Sequence, residues 1–143
     1  MTGQDHWLVV RLSAMGDAAL CTGVLAHWGQ ERSMRFSVVT RDALAPLFAG
    51  HPAVDEVIPV QKQDLSFAGW LRLCRKLRRQ YKGTGLLDLH GSLRSYFLSA
   101  LWSGPVRRYP KFRKERKRFL ATGDAGARDI LLEANVPQRY WMA

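Results

Sequence analysis

The chain has 143 residues, 47% of them apolar and 24% charged, with a formal net charge of +10. That length suits one ordinary domain, and the apolar share supports a real core and excludes wholesale disorder. No apolar run approaches the roughly 20 residues of a membrane-spanning helix, and the opening Met1–His6 lacks the basic-then-apolar layout of a signal peptide.

Trp7–Leu12 is a short apolar, β-branched run that predicts a buried strand. Ser13–Asp17 predicts a turn, and Ala18–Arg32 a helix with Leu20, Val24 and Trp28 on one face. Arg35–Thr40 follows as a second strand. Asp42–Ala49 predicts a short helix, stopped by Gly50 and Pro52. Val54–Val60 predicts a third strand. Phe67–Tyr81 predicts a helix whose core stripe is Phe67, Trp70, Cys74, Leu77 and Tyr81. Gly85–Leu89 predicts a fourth strand, Ser92–Trp102 a helix and Val106–Tyr109 a fifth strand. A basic loop and a helix over Ala127–Ala134 complete the pattern, and Pro137 marks the entry to a further helix. Strands alternating with helices imply βαβ units, hence an α/β fold with a doubly wound, Rossmann-like parallel sheet covered on both faces.

The charge is concentrated. Arg107–Arg118 holds eight basic residues and one acid, and Arg72–Lys82 holds six basic residues and no acid. The remainder is mildly acidic. Two such clusters on a nearly neutral body suit nucleic acid, anionic lipid headgroups or phosphorylated sugars, or else a solvated helix face and a basic loop. Cys21 and Cys74 make neither a disulfide framework nor a metal site, so a reducing cytoplasm is the expected home. No metal is expected, because His6, His27, His51 and His90 show no ligand spacing.

In open parallel sheets, ligands bind at the carboxyl ends of the strands. Two strand-to-helix turns carry chemistry there. Ser13–Asp17 has one glycine, Gly16, and lacks both the dinucleotide fingerprint and the Lys-Ser/Thr ending of a P-loop. Asp17 or Ser13 is a candidate helix cap. Asp17 is equally a carboxylate placed to accept a proton from a substrate hydroxyl. In the second turn, Asp88–Ser95, an Asp at the end of an apolar strand needs a partner if buried. Gly91 permits close approach, Ser92 is a candidate cap, and Arg94 suits a phosphate or carboxylate. His90 reads either as a loop imidazole or as a ligand contact.

Val9-Val10-Arg11-Leu12-Ser13-Ala14-Met15-Gly16-Asp17 resembles the opening motif of glycosyltransferase family 9, the lipopolysaccharide heptosyltransferases. His51-Pro52-Ala53-Val54-Asp55-Glu56-Val57-Ile58-Pro59 is similar to the family's N-P-x-V-D-E-V-I segment. Leu87–Ser95 is similar to its D-L-H/Q-G-x-x-R-S turn. Tyr109-Pro110-Lys111 with its basic continuation resembles the segment after the fifth strand, and Val136–Tyr140 the start of the family's next helix.

The resemblance implies a GT-B enzyme, with two Rossmann-like domains across a cleft. Such enzymes transfer heptose from ADP-heptose to the inner core of lipopolysaccharide with inversion. By that analogy residues 1–143 are the acceptor-side domain, slightly short at the C-terminus, and Asp17 is the general base. Ser13, Gly16, His90, Gly91, Arg94, Lys111 and Arg113 would meet the acceptor, whose Kdo carboxylates and phosphates suit the basic clusters. No cofactor is implied, and the nucleotide sugar would bind a second domain that this chain lacks. The chain alone is therefore expected not to turn over. The family's first-helix proline is absent at Thr22-Gly23-Val24, a departure confined to local helix geometry.

Arg72, Arg75 and Arg79 lie off the core stripe of their helix and suit contact with an anionic inner membrane leaflet. The alternatives are a non-catalytic α/β domain that binds nucleic acid or one that binds anionic membrane. The first has Tyr109, Phe112 and Phe119 interleaved with basic residues in its favour. It lacks any helix-turn-helix, zinc-finger or RNA-recognition motif, so specific nucleic-acid binding is not expected.

Overall fold

The computed structural model describes residues 5–109, 113–123 and 125–126. Five parallel strands form one sheet: β1 (His6–Val10), β2 (Arg35–Arg41), β3 (Val54–Val60), β4 (Gly85–Asp88) and β5 (Val106–Arg108). Their spatial order is β3-β2-β1-β4-β5. The chain thus builds outward from β1 to one edge, then crosses back to lay β4 on the other side of β1. Val10 pairs with Val39 of β2 and with Asp88 of β4, so the strand order reverses about β1.

Side chains alternate across the sheet, as the period of two requires. Val9, Val38 and Leu87 enter one core with α1 (Met15–Arg32) and the 3-10 helix at Asp42–Leu47. Leu8, Val10, Val39 and Leu86 enter the other with α2 (Phe67–Gln80) and α3 (Leu93–Leu101). Strands covered on both faces are apolar throughout, which explains the run Leu8-Val9-Val10 with no exposed surface.

The five predicted strands and the helices predicted between them are present, with shifted ends. Helix α1 begins three residues earlier than its apolar pattern indicates, because Met15 and Gly16 are helical yet exposed. Leu20, assigned to the core by spacing, is exposed, and Cys21 and Leu25 fill the interior instead. Phe67 likewise leaves the α2 stripe for solvent, while Trp70, Cys74 and Leu77 are buried. Strand β5 stops at Arg108, one residue short of the expectation. Arg113–Thr122 forms a helix, α4, where a basic loop is expected. Arg, Lys, Glu and Leu are good helix formers and need no apolar stripe to coil. The expected helix at 127–134 and the further entry at Pro137 lie outside the described residues.

Serines cap two helices. Ser66 Oγ accepts from the Gly69 amide at the start of α2. Ser92 and Ser95 close a reciprocal box at the start of α3, as Ser92's position predicts. Gly85 is fixed by packing: a Cβ there would run into the Trp7 ring. Gly85→Ala is therefore expected to destabilise the fold by about 1–3 kcal/mol, read as a lower urea midpoint.

Burial also sets an alkaline limit. It pushes the Cys21 and Cys74 thiols up to about 12 from 9.0. Burial, then the hydrogen bond to Glu56, pushes the Tyr81 phenol up to about 12 from 10.0. The folded chain holds these protons more tightly than the unfolded chain does. That contribution is complete below the ordinary values and is lost as pH rises toward about 12. The thermal midpoint should fall steadily between about pH 8 and pH 11.

Candidate active site at the sheet switch point

Where the strand order reverses, between β1 and β4, α/β folds take their ligands in the crevice outside the carboxyl ends of the strands. The buried cation at that edge is Arg11. Its amide extends the ladder to the Val39 carbonyl at 3.0 Å, and its side chain is only 4% exposed. One guanidinium nitrogen donates to the Leu89 carbonyl at 2.7 Å, the other to Asp17 Oδ2 at 2.6 Å. Arg11 also hydrogen-bonds Tyr109. Burial raises the Tyr109 phenol, and the charge and hydrogen bond of Arg11 oppose that rise. One buried cation thus ties together the segments after β1, β4 and β5.

Asp17 sits in the first turn of α1 and does not cap it. The cap position is Ala14, with no side-chain cap bond, and the Ser13–Ala14 peptide is cis. The capping reading of Asp17 and Ser13 is corrected accordingly: Arg11 takes the carboxylate that would otherwise fold back on the helix amides. Asp17 remains 42% exposed, so a polar group arriving from solvent can reach it. Gly16 faces open space, with no heavy atom within 4 Å of a Cβ built there.

The second turn is organised by Asp88, which is fully buried. Its Oδ1 accepts from the amides of His90 at 3.0 Å and Gly91 at 2.8 Å. Its Oδ2 accepts from Arg108 Nε at 3.1 Å. Arg108 in turn lies over the Tyr96 ring, 4.4 Å from its centre. Gly91 takes φ +62°, a left-handed conformation that favours glycine. Asp88 therefore finds the partner that burial demands, and it shapes the loop carrying His90.

Arg94 and the three arginines of α2 lie apart. Arg94 is exposed and donates to the Leu65 carbonyl at 2.8 Å, at the entry to α2. Arg72, Arg75 and Arg79 line the outer surface of α2, on the sheet face opposite α1. Arg113 begins α4, and Lys111 and Phe112 lie outside the described residues. Tyr109, counted among stacking aromatics in the nucleic-acid alternative, is buried against Arg11 and presents no open face for a base. Among the described residues, no group of three or more His, Cys, Asp or Glu side chains could hold a metal ion.

Arg11, Arg108 and Tyr109 were not singled out from sequence as site residues. A signal existed for Arg11: a cation inside an apolar strand needs a partner as surely as Asp88 does.

No family model matches the sequence, and no curated protein matches it. Solved structures do. Escherichia coli heptosyltransferase WaaC with ADP is similar at a TM-score of 0.59 and 24% identity, over 73% of this chain and 35% of that one. A glycosyl transferase of family 9 from Veillonella parvula is similar at 0.63 and 21% identity, over 80% of this chain and 35% of that one. The chain has the fold seen in these glycosyltransferases. It spans about a third of their length.

The Asp88 cluster yields a stability prediction. Asp88→Ala leaves two amides and Arg108 without their carboxylate and should cost about 2–4 kcal/mol in denaturant unfolding. Asp88→Asn, which keeps an acceptor for the two amides, should cost less.

Proposed function

We propose that this chain is the acceptor-side domain of an inverting glycosyltransferase, with Asp17 as general base. The observation that carries the reading is the pairing of Asp17 with a buried Arg11 at the switch point, with the carboxylate still exposed to solvent. An ion pair to a rigid partner fixes the carboxylate's orientation before any substrate arrives.

In the proposed reaction, an acceptor hydroxyl lies against Asp17. Its oxygen attacks the anomeric carbon of a nucleotide sugar while the bond from that carbon to the diphosphate oxygen breaks on the opposite face. The hydroxyl proton passes to Asp17, and the bonding pair leaves with the diphosphate. Inversion follows from attack opposite the leaving group. Arg11 holds Asp17, and Asp88 holds the His90–Gly91 turn that forms the crevice's second wall.

The favoured donor is ADP-heptose and the favoured acceptor the inner core of lipopolysaccharide. This rests on the motif resemblance and on the fold shared with a heptosyltransferase solved with ADP. His90, Gly91, Ser13 and Gly16 would meet the acceptor near the reacting hydroxyl. Arg94, Lys111 and Arg113 would meet its carboxylates and phosphates. The donor would bind a second domain outside these 143 residues, on the cytoplasmic side of the inner membrane. The 143 residues alone would then not turn over.

The test is transfer by a polypeptide joining this chain to a nucleotide-sugar-binding domain. Asp17→Ala should lower kcat by about 10²–10⁴-fold, with donor affinity unchanged. Near-normal transfer by that variant would reject Asp17 as the base.

A further inference from the structure

Helices α2 and α3 lie side by side on one sheet face, joined where Trp70 Nε1 donates to the Arg94 carbonyl at 3.1 Å. Both start at the same edge of the sheet, and each opens on a large apolar residue turned to solvent. Phe67 is 77% exposed and Leu93 87% exposed. A single shallow pocket joins them, lined also by Leu65, Trp70 and Phe97. Phe67 packs edge-on against Phe97, with ring centres 6.1 Å apart. Exposed apolar residues scattered singly need no explanation, but two brought together from separate helices form a patch. Beside it runs the outer surface of α2, where Arg72, Arg75, Lys76 and Arg79 are exposed along one stripe. Among the described residues, none of these four forms a salt bridge.

We propose that this surface docks on an anionic lipid bilayer, with Phe67 and Leu93 entering the boundary between headgroups and acyl chains and Arg72, Arg75, Lys76 and Arg79 over anionic headgroups. Its purpose rests on the lipid-linked acceptor proposed above; its physics does not. Neither signal is sufficient alone. Two apolar side chains give weak insertion, and stable attachment takes a second signal such as a basic patch. Each basic residue near an anionic surface strengthens binding by roughly fivefold. Long Lys and Arg stems let the charged heads reach phosphates while their methylenes lie on apolar surface.

The charge is complementary to a bilayer, and the shape favours it over the obvious rival. A nucleic-acid strand needs a groove and flat rings on which bases stack. Here the basic residues stand on the outer surface of one helix, and of the two exposed apolar residues Phe67 alone offers a ring. The patch lies at the carboxyl edge of the sheet, the edge that also carries Asp17. Docking there would hold the crevice close to the membrane surface.

Cys21 and Cys74 are buried, with thiols pushed up to about 12, so an introduced surface cysteine can be labelled alone. Phe67→Cys and Leu93→Cys, each carrying an environment-sensitive fluorophore, should shift to the blue on vesicles of phosphatidylcholine and phosphatidylglycerol. Ala19→Cys, exposed on α1 across the sheet, should not. In co-sedimentation, Arg72→Glu with Arg75→Glu and Arg79→Glu should weaken binding at least ~tenfold, and added salt should weaken the parent. Circular dichroism checks that the triple variant is folded, and the Gln triple replaces it if not. Equal binding by parent and folded triple variant would overturn the proposal. So would silent labels at 67 and 93, an equal shift at 19, or tighter binding to single-stranded RNA than to the vesicles. The vesicles carry no sugar, so failure here leaves the transfer reading standing. Unimpaired transfer by Asp17→Ala would in turn leave this surface standing.

Discussion

A guanidinium buried at the end of the central strand needs partners, and the geometry of the crevice follows from where Arg11 finds them. Water cannot solvate it, so a carboxylate and a backbone carbonyl must. The carboxylate comes from the first turn of α1 and the carbonyl from the segment after β4. Tyr109, just past β5, meets the same cation. Strand ends that the sheet merely brings near one another are thereby locked into one arrangement. The lock leaves Asp17 oriented and reachable, as the proposed role of a base needs.

Asp88 plays the complementary part. It is a buried anion where Arg11 is a buried cation, on the neighbouring strand and in register with Val10. Arg11 pairs with Asp17 and Asp88 with Arg108, yet both reach the turn after β4, Arg11 through the Leu89 carbonyl and Asp88 through the His90 and Gly91 amides. Arg11 organises the turn after β1, and Asp88 organises the turn after β4 and draws Arg108 across from β5. The turn after β4 is thereby held by both charges, which couples it to the turn after β1. The cost is two buried charges, tolerable because each has several well-formed hydrogen bonds.

Strand positions and the α/β class were legible from Leu8-Val9-Val10 and its counterparts, because a doubly covered strand must be apolar throughout. Ser92 was legible as a cap, and Asp88 as a residue in need of a partner. The role of Arg11 was not, since its partners lie 6 and 78 positions away and only folding brings them to one point. Asp17 looked like a cap by local rules, and an ion pair to Arg11, six residues back, overrode those rules. Leu20 and Phe67 satisfied helical spacing yet face solvent, because spacing defines a stripe and the neighbours decide how much of it is covered. The patch uniting Phe67 with Leu93 joins residues 26 apart in sequence, on different helices.

Local chemistry, then, determined from sequence alone which segments become strands and helices, where the charge concentrates and which two turns carry reactive side chains. Those properties depend on residues within one or two helical turns of each other. The tertiary structure decided which charges meet, which apolar residues remain outside and which face of the sheet each cluster occupies. These depend on the strand order β3-β2-β1-β4-β5. The order is set by the crossing of α2 over the sheet, a long-range event that no local pattern encodes.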